Sequence, residues 1–177
     1  MLGTVRPIDY PAIIESVKKT NRLVVVEEAW PLSSIASEIA YHVQKYAFDY
    51  LDAPVSGGEL GAKNAALSIM VGGDRQTAER LTPLLDIMGK TVVYQGPSGA
   101  GQHTKMTNQI LIAGTMIGVV ESLLYTQRAG MDAHQVIDVI GKGAASSWSI
   151  NILGRRIADG DFNPGLYIKH FVKDMGI

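Results

Sequence analysis

The stretch LDAPVSGGELGAKNAALSIMVGGD, residues 51–74, decides the fold. It begins within one predicted strand, residues 50–55. It also contains a short apolar run, residues 67–71, which two glycines end. Asp74 follows, and aspartate is a residue that favours helix starts. Short apolar runs bounded by glycines and capping residues are typical of strands in an α/β protein. The sequence around this stretch should therefore alternate strands and helices.

The residues before this stretch continue that alternation. Residues 9–21 are predicted to form a helix that Asp9 caps, with an apolar stripe of Ile13, Ile14 and Val17. Residues 23–26, LVVV, are typical of a strand buried on both faces. Ser33 or Ser34 should cap a second helix, whose inward side chains are Ile35, Ala36, Ile39, Ala40 and Val43. A strand, a helix and a strand at this spacing predict a parallel sheet.

The residues after this stretch change from mixed to helical. A helix should follow Asp74, kinked at Pro83, and residues 91–94 should form a further strand. From residue 103 a single helix, about 40 Å long, is predicted to continue to Arg128. Further helices are predicted from Asp132, over residues 149–158 and from Tyr167, with a loop at residues 160–165. The predicted fold is α/β: a parallel or mixed Rossmann-like sheet layer over residues 1–98, then an all-α region, residues 99–177, with one long central helix.

Composition excludes several classes of function. The chain has 177 residues, 46% of them hydrophobic, and a formal net charge of -1 with scattered charges, which predicts no nucleic-acid partner. There is no cysteine, and the four histidines show no metal-ligand spacing, so no metal site is expected. The longest apolar run, residues 110–120, is shorter than a bilayer span, and no signal peptide is visible. We expect no membrane partner and a cytoplasmic location.

The glycine-rich segment GPSGAGQHTKMTNQ, residues 96–109, precedes the long helix. It lacks the lysine and hydroxyl residue of a P-loop and the third glycine of a dinucleotide-binding turn. Lys105 and Asn108 are three residues apart on one helix face, behind a loop that would let a substrate approach the backbone. A lysine there can exchange a proton with a hydroxyl group. The alternative is a solvated lysine at a helix start, which spacing alone favours.

Two further motifs each have one functional and one purely structural interpretation. Ser56, Gly57 and Gly58 follow a strand, where exposed backbone N–H groups and a hydroxyl suit a carboxylate. The alternative is a plain turn between strands. Lys169 and Lys173 are four residues apart and can face one cleft, although an ordinary solvated helix face is the alternative.

Taken together and in order, the motifs resemble the β-hydroxyacid dehydrogenases, which include 3-hydroxyisobutyrate dehydrogenase and 2-hydroxy-3-oxopropionate reductase. The matching text is DAPVSGGELGAKNAALSIMVGGD, GPSGAGQHTKMTNQILIAGTMIGVVESL, GAASSWSI and GDFNPGLYIKHFVKDMG. The resemblance covers about residues 51–177. It implies that residues 51–98 end a nucleotide-binding domain, and that residues 99–177 are a truncated helical domain like the C-terminal domain of 6-phosphogluconate dehydrogenase.

The resemblance also implies a role for each matching residue. Lys105 takes the place of the family's catalytic acid/base lysine, and Asn108 that of its substrate-contacting asparagine. The turn of Ser56, Gly57 and Gly58 takes the place of the loop that binds the substrate carboxylate. Lys173 matches a lysine near the nicotinamide of NADP or NAD. Gln109 stands where many relatives have asparagine.

The first 55 residues resemble a different family. TVRPIDYPAIIESVKKTNRLVVVEEAWP and AFDYLDAPV are similar to the transketolase-type C-terminal domain of the β subunit of 2-oxo acid (pyruvate) dehydrogenase decarboxylases. This resemblance implies a chimera joined at residues 50–58 and carries no catalytic residue with it.

The implied activity is NAD(P)-dependent reduction of a small carboxylate-bearing aldehyde, such as 2-hydroxy-3-oxopropionate. No G-x-G-x-x-G turn occurs in the sequence, so cofactor binding should be impaired and the chain inactive. The alternatives are a non-catalytic fusion scaffold and an interaction module of a decarboxylase β subunit. The apolar long helix predicts a homo-oligomer that buries it.

Overall fold

The computed structural model describes residues 8–20, 23, 25, 35–44 and 49–163 of the chain. Its elements are α1 (Tyr10–Thr20), α2 (Ile35–Gln44), β1 (Leu51–Asp52), β2 (Val55–Ser56), α3 (Gly58–Lys63), β3 (Leu67–Gly73), α4 (Arg75–Leu85), β4 (Gly89–Gly96), α5 (Ala100–Arg128), α6 (Ala133–Ile140), a π-helical segment (Ser149–Gly154) and α7 (Arg155–Ala158). The described residues fall into two compact units, one up to His103 and the other from Thr104 onward. The predicted α/β class, with a sheet layer and one long helix, is confirmed.

The central strand of the first unit is β3. β1 and β2 pair with it antiparallel and in one common register, with Leu51 opposite Gly73 and Ser56 opposite Ser68. Between β1 and β2 stands Pro54, which has no N–H to donate, although its carbonyl accepts the Met70 N–H at 3.0 Å. Residues 51–56 therefore form a single extended run along β3.

The other neighbour of β3 is β4, which runs parallel to it, as in Ile69 opposite Val92. The sheet is therefore mixed, which is one of the two predicted forms. The predicted strand at residues 50–55 pairs antiparallel with β3, a strand that follows it in the chain, and this corrects the expectation of a parallel arrangement.

The sheet and α4 share one apolar core. Its buried members come from β3 and from α4: Ile69, Val71, Ala78 and Leu85. The Asp74 carboxylate accepts the Thr77 N–H at 2.8 Å, so the predicted cap of this helix is confirmed. The Tyr94 hydroxyl donates to the Gly73 carbonyl at 3.0 Å and joins β4 to the end of β3.

A separate apolar cluster joins α1 and α2. Its buried side chains are Ile13, Ile14, Val17, Ile39 and Val43. The Asp9 carboxylate accepts the Ala12 N–H, so the predicted cap and stripe of α1 are confirmed. Leu23 and Val25 are exposed and outside any strand, which contradicts the prediction of a strand buried on both faces; Val24 and Val26 lie outside the described residues.

The second unit is helical. The buried side of α5 contributes Val119 and Leu123 to a core completed by Ile137 of α6 and Ile150 of the π-helical segment. The Asp132 carboxylate accepts the Gln135 N–H at 3.0 Å, so the predicted start of α6 is confirmed. The helix predicted over residues 149–158 is π-helical over its first six residues. The helix predicted from Tyr167 lies outside the described residues.

The opposite side of α5 is exposed and mostly apolar, with Glu121 among its residues. We call it the apolar face; its members are Ile110, Leu111, Ile117, Val120, Leu124 and Tyr125. By length and composition alone, α5 is the one helix of the described chain that is long and apolar enough to cross a membrane. The sequence prediction did not anticipate this, because it considered only the run of residues 110–120, which is shorter than α5.

Candidate functional site

The predicted substrate turn follows directly from β2. Ser56 is half-buried and lies opposite Ser68 in β3. Gly57 and Gly58 both have positive φ, at 131° and 61°, a region that side chains with a Cβ rarely adopt. The turn leads into the short helix α3, which was not predicted and which no side chain caps. The turn therefore joins a strand to a helix and does not join two strands. The positive φ angles explain why both positions are glycine.

One ion pair lies beside this turn. The Lys63 ammonium is 2.5 Å from the Glu59 carboxylate, one helical turn away, and both side chains are largely exposed. The hydrogen bond from Lys63 and its positive charge lower the pKa of Glu59. Lys63 therefore offsets the negative charge that Glu59 places next to a turn predicted to bind a carboxylate.

A buried carboxylate that the sequence analysis did not select lies at the start of α5. Asp52, in β1, is 4% exposed. Its two oxygens accept the backbone N–H groups of Gly99 at 2.7 Å and of Gln102 at 3.0 Å. The first N–H groups of a helix have no acceptor within the helix, so an outside carboxylate satisfies them and suits the helix dipole. Asp52 thus caps α5 from a distant strand.

Two glycines make room for this contact. A Cβ built on Gly72 would lie 2.6 Å from both Asp52 carboxylate oxygens, and one on Gly101 would lie 2.3 Å from the Met70 carbonyl oxygen. Real side chains do not approach that closely, so both positions require glycine. The sequence predicted that the loop before α5 lets a substrate approach the backbone. The structure corrects this for the Gly99 and Gln102 N–H groups, because they already donate hydrogen bonds to Asp52.

The predicted proton-transfer residues lie on α5 itself. Lys105 and Asn108 are both half-buried and belong to consecutive turns of one uninterrupted helix. The Asn108 side-chain amide donates to the Gln109 side-chain oxygen at 3.0 Å. Gln109, whose role the resemblance leaves open, therefore orients Asn108 in this structure.

The other predicted positions divide between the units or lie outside the structure. Ser56, Gly57 and Gly58 belong to the first unit, whereas Lys105 and Asn108 belong to the second. Lys173, predicted near the cofactor, and Lys169 lie outside the described residues. Within the described ranges, no three histidine, aspartate or glutamate side chains come together as metal ligands.

The described residues contain no glycine-rich turn of the kind that binds a dinucleotide pyrophosphate. A dinucleotide needs free N–H groups at a glycine-rich helix start, with the G-x-G-x-x-G spacing. The sequence has no such spacing. The glycine-rich start of α5 has the N–H groups of Gly99 and Gln102 already bonded to Asp52.

Comparison with protein families gives two matches that adjoin along the chain. The NAD binding domain of 6-phosphogluconate dehydrogenase matches residues 11–96, and the NAD-binding domain of NADP-dependent 3-hydroxyisobutyrate dehydrogenase matches residues 99–177. The first match runs through residues 50–58, where the sequence predicted a join. The predicted transketolase-type origin of residues 1–55, and the chimera that depends on it, have no support in these comparisons.

Individual relatives agree with the family matches. A probable 3-hydroxyisobutyrate dehydrogenase-like protein of Arabidopsis thaliana is 50% identical over 154 residues, which are 87% of this chain and 46% of that protein. The 2-hydroxy-3-oxopropionate reductase of Escherichia coli is 43% identical over 138 residues, 78% of this chain and 47% of the reductase.

A solved structure agrees as well. The 3-hydroxyisobutyrate dehydrogenase of Mycobacterium tuberculosis, solved with L-serine, superposes with a TM-score of 0.71 at 32% identity, over 80% of this chain and 51% of that one. The chain spans about half the length of the curated relatives it matches. Over residues 11–177, the chain is a relative of the NAD(P)-dependent β-hydroxyacid dehydrogenases of the 3-hydroxyisobutyrate dehydrogenase type.

Proposed function

We propose that this chain supplies the substrate turn and the proton-transferring lysine of a dehydrogenase that reduces a small carboxylate-bearing aldehyde, such as 2-hydroxy-3-oxopropionate. The observation that carries the proposal is the pair Lys105 and Asn108, half-buried on consecutive turns of α5, just after a helix start held by Asp52. The 43% identity with a 2-hydroxy-3-oxopropionate reductase supports this choice of substrate class.

Lys105 is assigned the proton transfer. Reduction of an aldehyde to an alcohol adds a hydride to carbon and a proton to oxygen, and a nicotinamide, NADP or NAD, supplies the hydride in this family. The Lys105 ammonium donates its proton to the oxygen, becomes a neutral amine and regains a proton from solvent. A positioned acid of this kind contributes about 10²- to 10⁴-fold to a rate.

The other residues are assigned to substrate binding. The Ser56 hydroxyl and the N–H groups of Gly57 and Gly58 donate to the substrate carboxylate, in a turn whose glycine conformations leave no side chain in the way. The Asn108 amide, oriented by Gln109, contacts the substrate oxygen next to Lys105. Lys173 keeps its predicted place near the nicotinamide, on the resemblance alone.

The test compares two lysine substitutions on the helical unit. Lys105→Met removes the proposed acid, whereas Lys142→Met removes an exposed lysine with no assigned role. With NADPH and 2-hydroxy-3-oxopropionate, we expect Lys105→Met to lower kcat by about 10²- to 10⁴-fold. Lys142→Met should match the unsubstituted chain. Equal rates in the two variants would reject the assignment of Lys105.

Cofactor affinity is a separate part of the proposal. Because the described residues offer no pyrophosphate cradle, we propose that this chain binds NADPH and NADH weakly, with Kd values of about 1 mM. Isothermal calorimetry measures this directly. Micromolar binding would contradict the proposed weakness. No heat at all at millimolar cofactor would reject an enzymatic role for this chain and favour the non-catalytic scaffold.

We also propose that a second copy of the chain covers the apolar face of α5. Six large apolar side chains are exposed along one side of a single helix, with Glu121 among them, and exposed apolar surface of this kind marks an interface. Light scattering should give at least a dimer, and Leu111→Glu should reduce it to a monomer. A monomer before substitution would contradict this proposal. The cytoplasmic location stays a prediction.

A further inference from the structure

We infer that Asp52 is a positioning residue: its buried carboxylate fixes the first turn of α5 and, through that turn, the place of Lys105. This inference rests on the proposed role of Lys105. It adds a residue that neither the motifs nor the resemblance assigned to the reaction.

The hydrogen bonds show why Asp52 is suited to this task. α5 begins at Ala100, so Gly99 stands at the capping position, and glycine has no side chain with which to cap. Asp52 supplies the missing acceptors, one oxygen to the Gly99 N–H and the other to the Gln102 N–H. The cap therefore comes from the sheet, and it ties the helix start to β1.

Close packing limits how far this helix start can move. Gly101 lies so near β3 and Asp52 that an added Cβ would be 2.3 Å from the Met70 carbonyl oxygen and 2.7 Å from an Asp52 oxygen. Gly72 approaches the same carboxylate from β3. Because neither glycine has room for a Cβ, the carboxylate packs tightly against the helix start.

The proposed link from that arrangement to Lys105 is the continuity of α5. Lys105 is three residues after Gln102 on the same helix, so a displacement of the first turn displaces Lys105 with it. A misplacement of about 1 Å at a reacting group can cost about 100-fold in rate. Asp52 also lies on the same extended run as Ser56, so one strand carries both the helix anchor and the proposed substrate serine.

The first test measures amide exchange by NMR. In Asp52→Asn one acceptor oxygen becomes an NH2 group, so a buried N–H loses its partner. The matched controls are Asp74→Asn and Asp132→Asn, which make the same substitution at the caps of α4 and α6, where one oxygen accepts the Thr77 or Gln135 N–H. We expect Asp52→Asn to speed exchange over residues 99–108 by about tenfold or more, and the controls to leave that stretch unchanged. Equal acceleration there in all three variants would overturn the inference.

The second test measures kinetics at a temperature where all variants are folded. A positioning role predicts that Asp52→Asn lowers kcat by about 10- to 100-fold and changes KM little, while both controls keep kcat. A lower unfolding temperature with unchanged kcat per folded molecule would overturn the inference, since that is the result of a purely structural role. An inactive unsubstituted chain would reject the proposed function, whereas the exchange test would still decide the role of Asp52.

A measurement on the unsubstituted chain covers the case in which Asp52→Asn does not fold. The Gln102 N–H bonds to a buried carboxylate, and the Gln135 N–H bonds to an exposed one. We expect slower exchange at Gln102 than at Gln135 by about tenfold or more. Faster exchange at Gln102 would contradict a fixed helix start.

Discussion

The start and the middle of α5 differ in what holds them. At the start, Asp52 satisfies two backbone N–H groups, and glycines bring the helix into contact with the sheet. In the middle, only one side of the helix is buried, and the other exposes Leu111 by 71% and Tyr125 by 74%. The first turn of the helix is therefore fixed by the chain itself, whereas the middle presents surface that a second copy can cover.

The two regions of α5 bear on different aspects of function. Buried hydrogen bonds and close contacts at the helix start bear on the position of a reacting group. Exposed apolar side chains bear on assembly. Substitutions that act on one region and leave the other unchanged test whether the two regions are in fact independent.

The largest expected effect compares two neighbouring leucines on α5. Leu123 is 7% exposed and belongs to the same core cluster as Ile137, whereas Leu124 is 51% exposed. Leu123→Ala should lower the free energy of unfolding by about 2–5 kcal/mol because it leaves a cavity. Leu124→Ala should change it by about 0.5 kcal/mol or less in a monomer.

Urea unfolding at two protein concentrations measures both changes. If a second copy covers the apolar face, the cost of Leu124→Ala should rise with protein concentration. Equal costs for the two leucines at low concentration would contradict the observed difference between the two sides of the helix.

A smaller effect compares two glycines of α5. Gly101→Ala places a Cβ against the Met70 carbonyl oxygen, so we expect it to destabilise the chain by about 1–3 kcal/mol. Gly114→Ala meets no atom within 4 Å and should stabilise the chain by about 0.5–1 kcal/mol, because alanine is the better helix former. Opposite signs in thermal unfolding confirm that the start is tight and the middle open; the same sign for both would refute it.

The smallest expected effect concerns acid stability near the end of the described chain. The Arg156 guanidinium, together with the N–H groups of Asn163, holds the pKa of Asp161 well below its usual range. A carboxyl with a depressed pKa stabilises the fold above its unfolded value, about pH 3.9, and loses that contribution as the pH falls further. The denaturant midpoint should therefore drop below about pH 4.

Asp161→Asn is the matching variant. It lacks the titrating carboxyl, so its midpoint should fall less between pH 5 and pH 3 than that of the unsubstituted chain, by a margin near the limit of detection. An identical fall in both proteins would show that Asp161 does not contribute.

The local features of the fold were predictable from the sequence because their partners are close in the chain. Asp9, Asp74 and Asp132 each cap a helix through an N–H three residues away, and all three caps were predicted. Strands β3 and β4 were predicted from short apolar runs. The prediction that Lys105 and Asn108 lie on one helix face follows from helical spacing alone.

Long-range features were not predictable in this way. Asp52 was missed because its partners, Gly99 and Gln102, are 47 and 50 residues away, and no spacing rule connects them. The antiparallel pairing of residues 51–56 was missed because the sequence suggested a strand, helix and strand order. Leu23 and Val25 belong to the apolar run LVVV, which has three β-branched valines, yet both are exposed, so propensity alone misjudged their burial.

The central claim is that Lys105 and the turn of Ser56, Gly57 and Gly58 serve one substrate. A crystal structure with bound tartronate, an unreactive hydroxy-dicarboxylate analogue, tests it most directly. We predict that the Lys105 Nζ lies about 3 Å from the tartronate hydroxyl, and that the turn donates hydrogen bonds to one carboxylate. Tartronate bound away from Lys105, or contacting Lys105 without the turn, would contradict the claim.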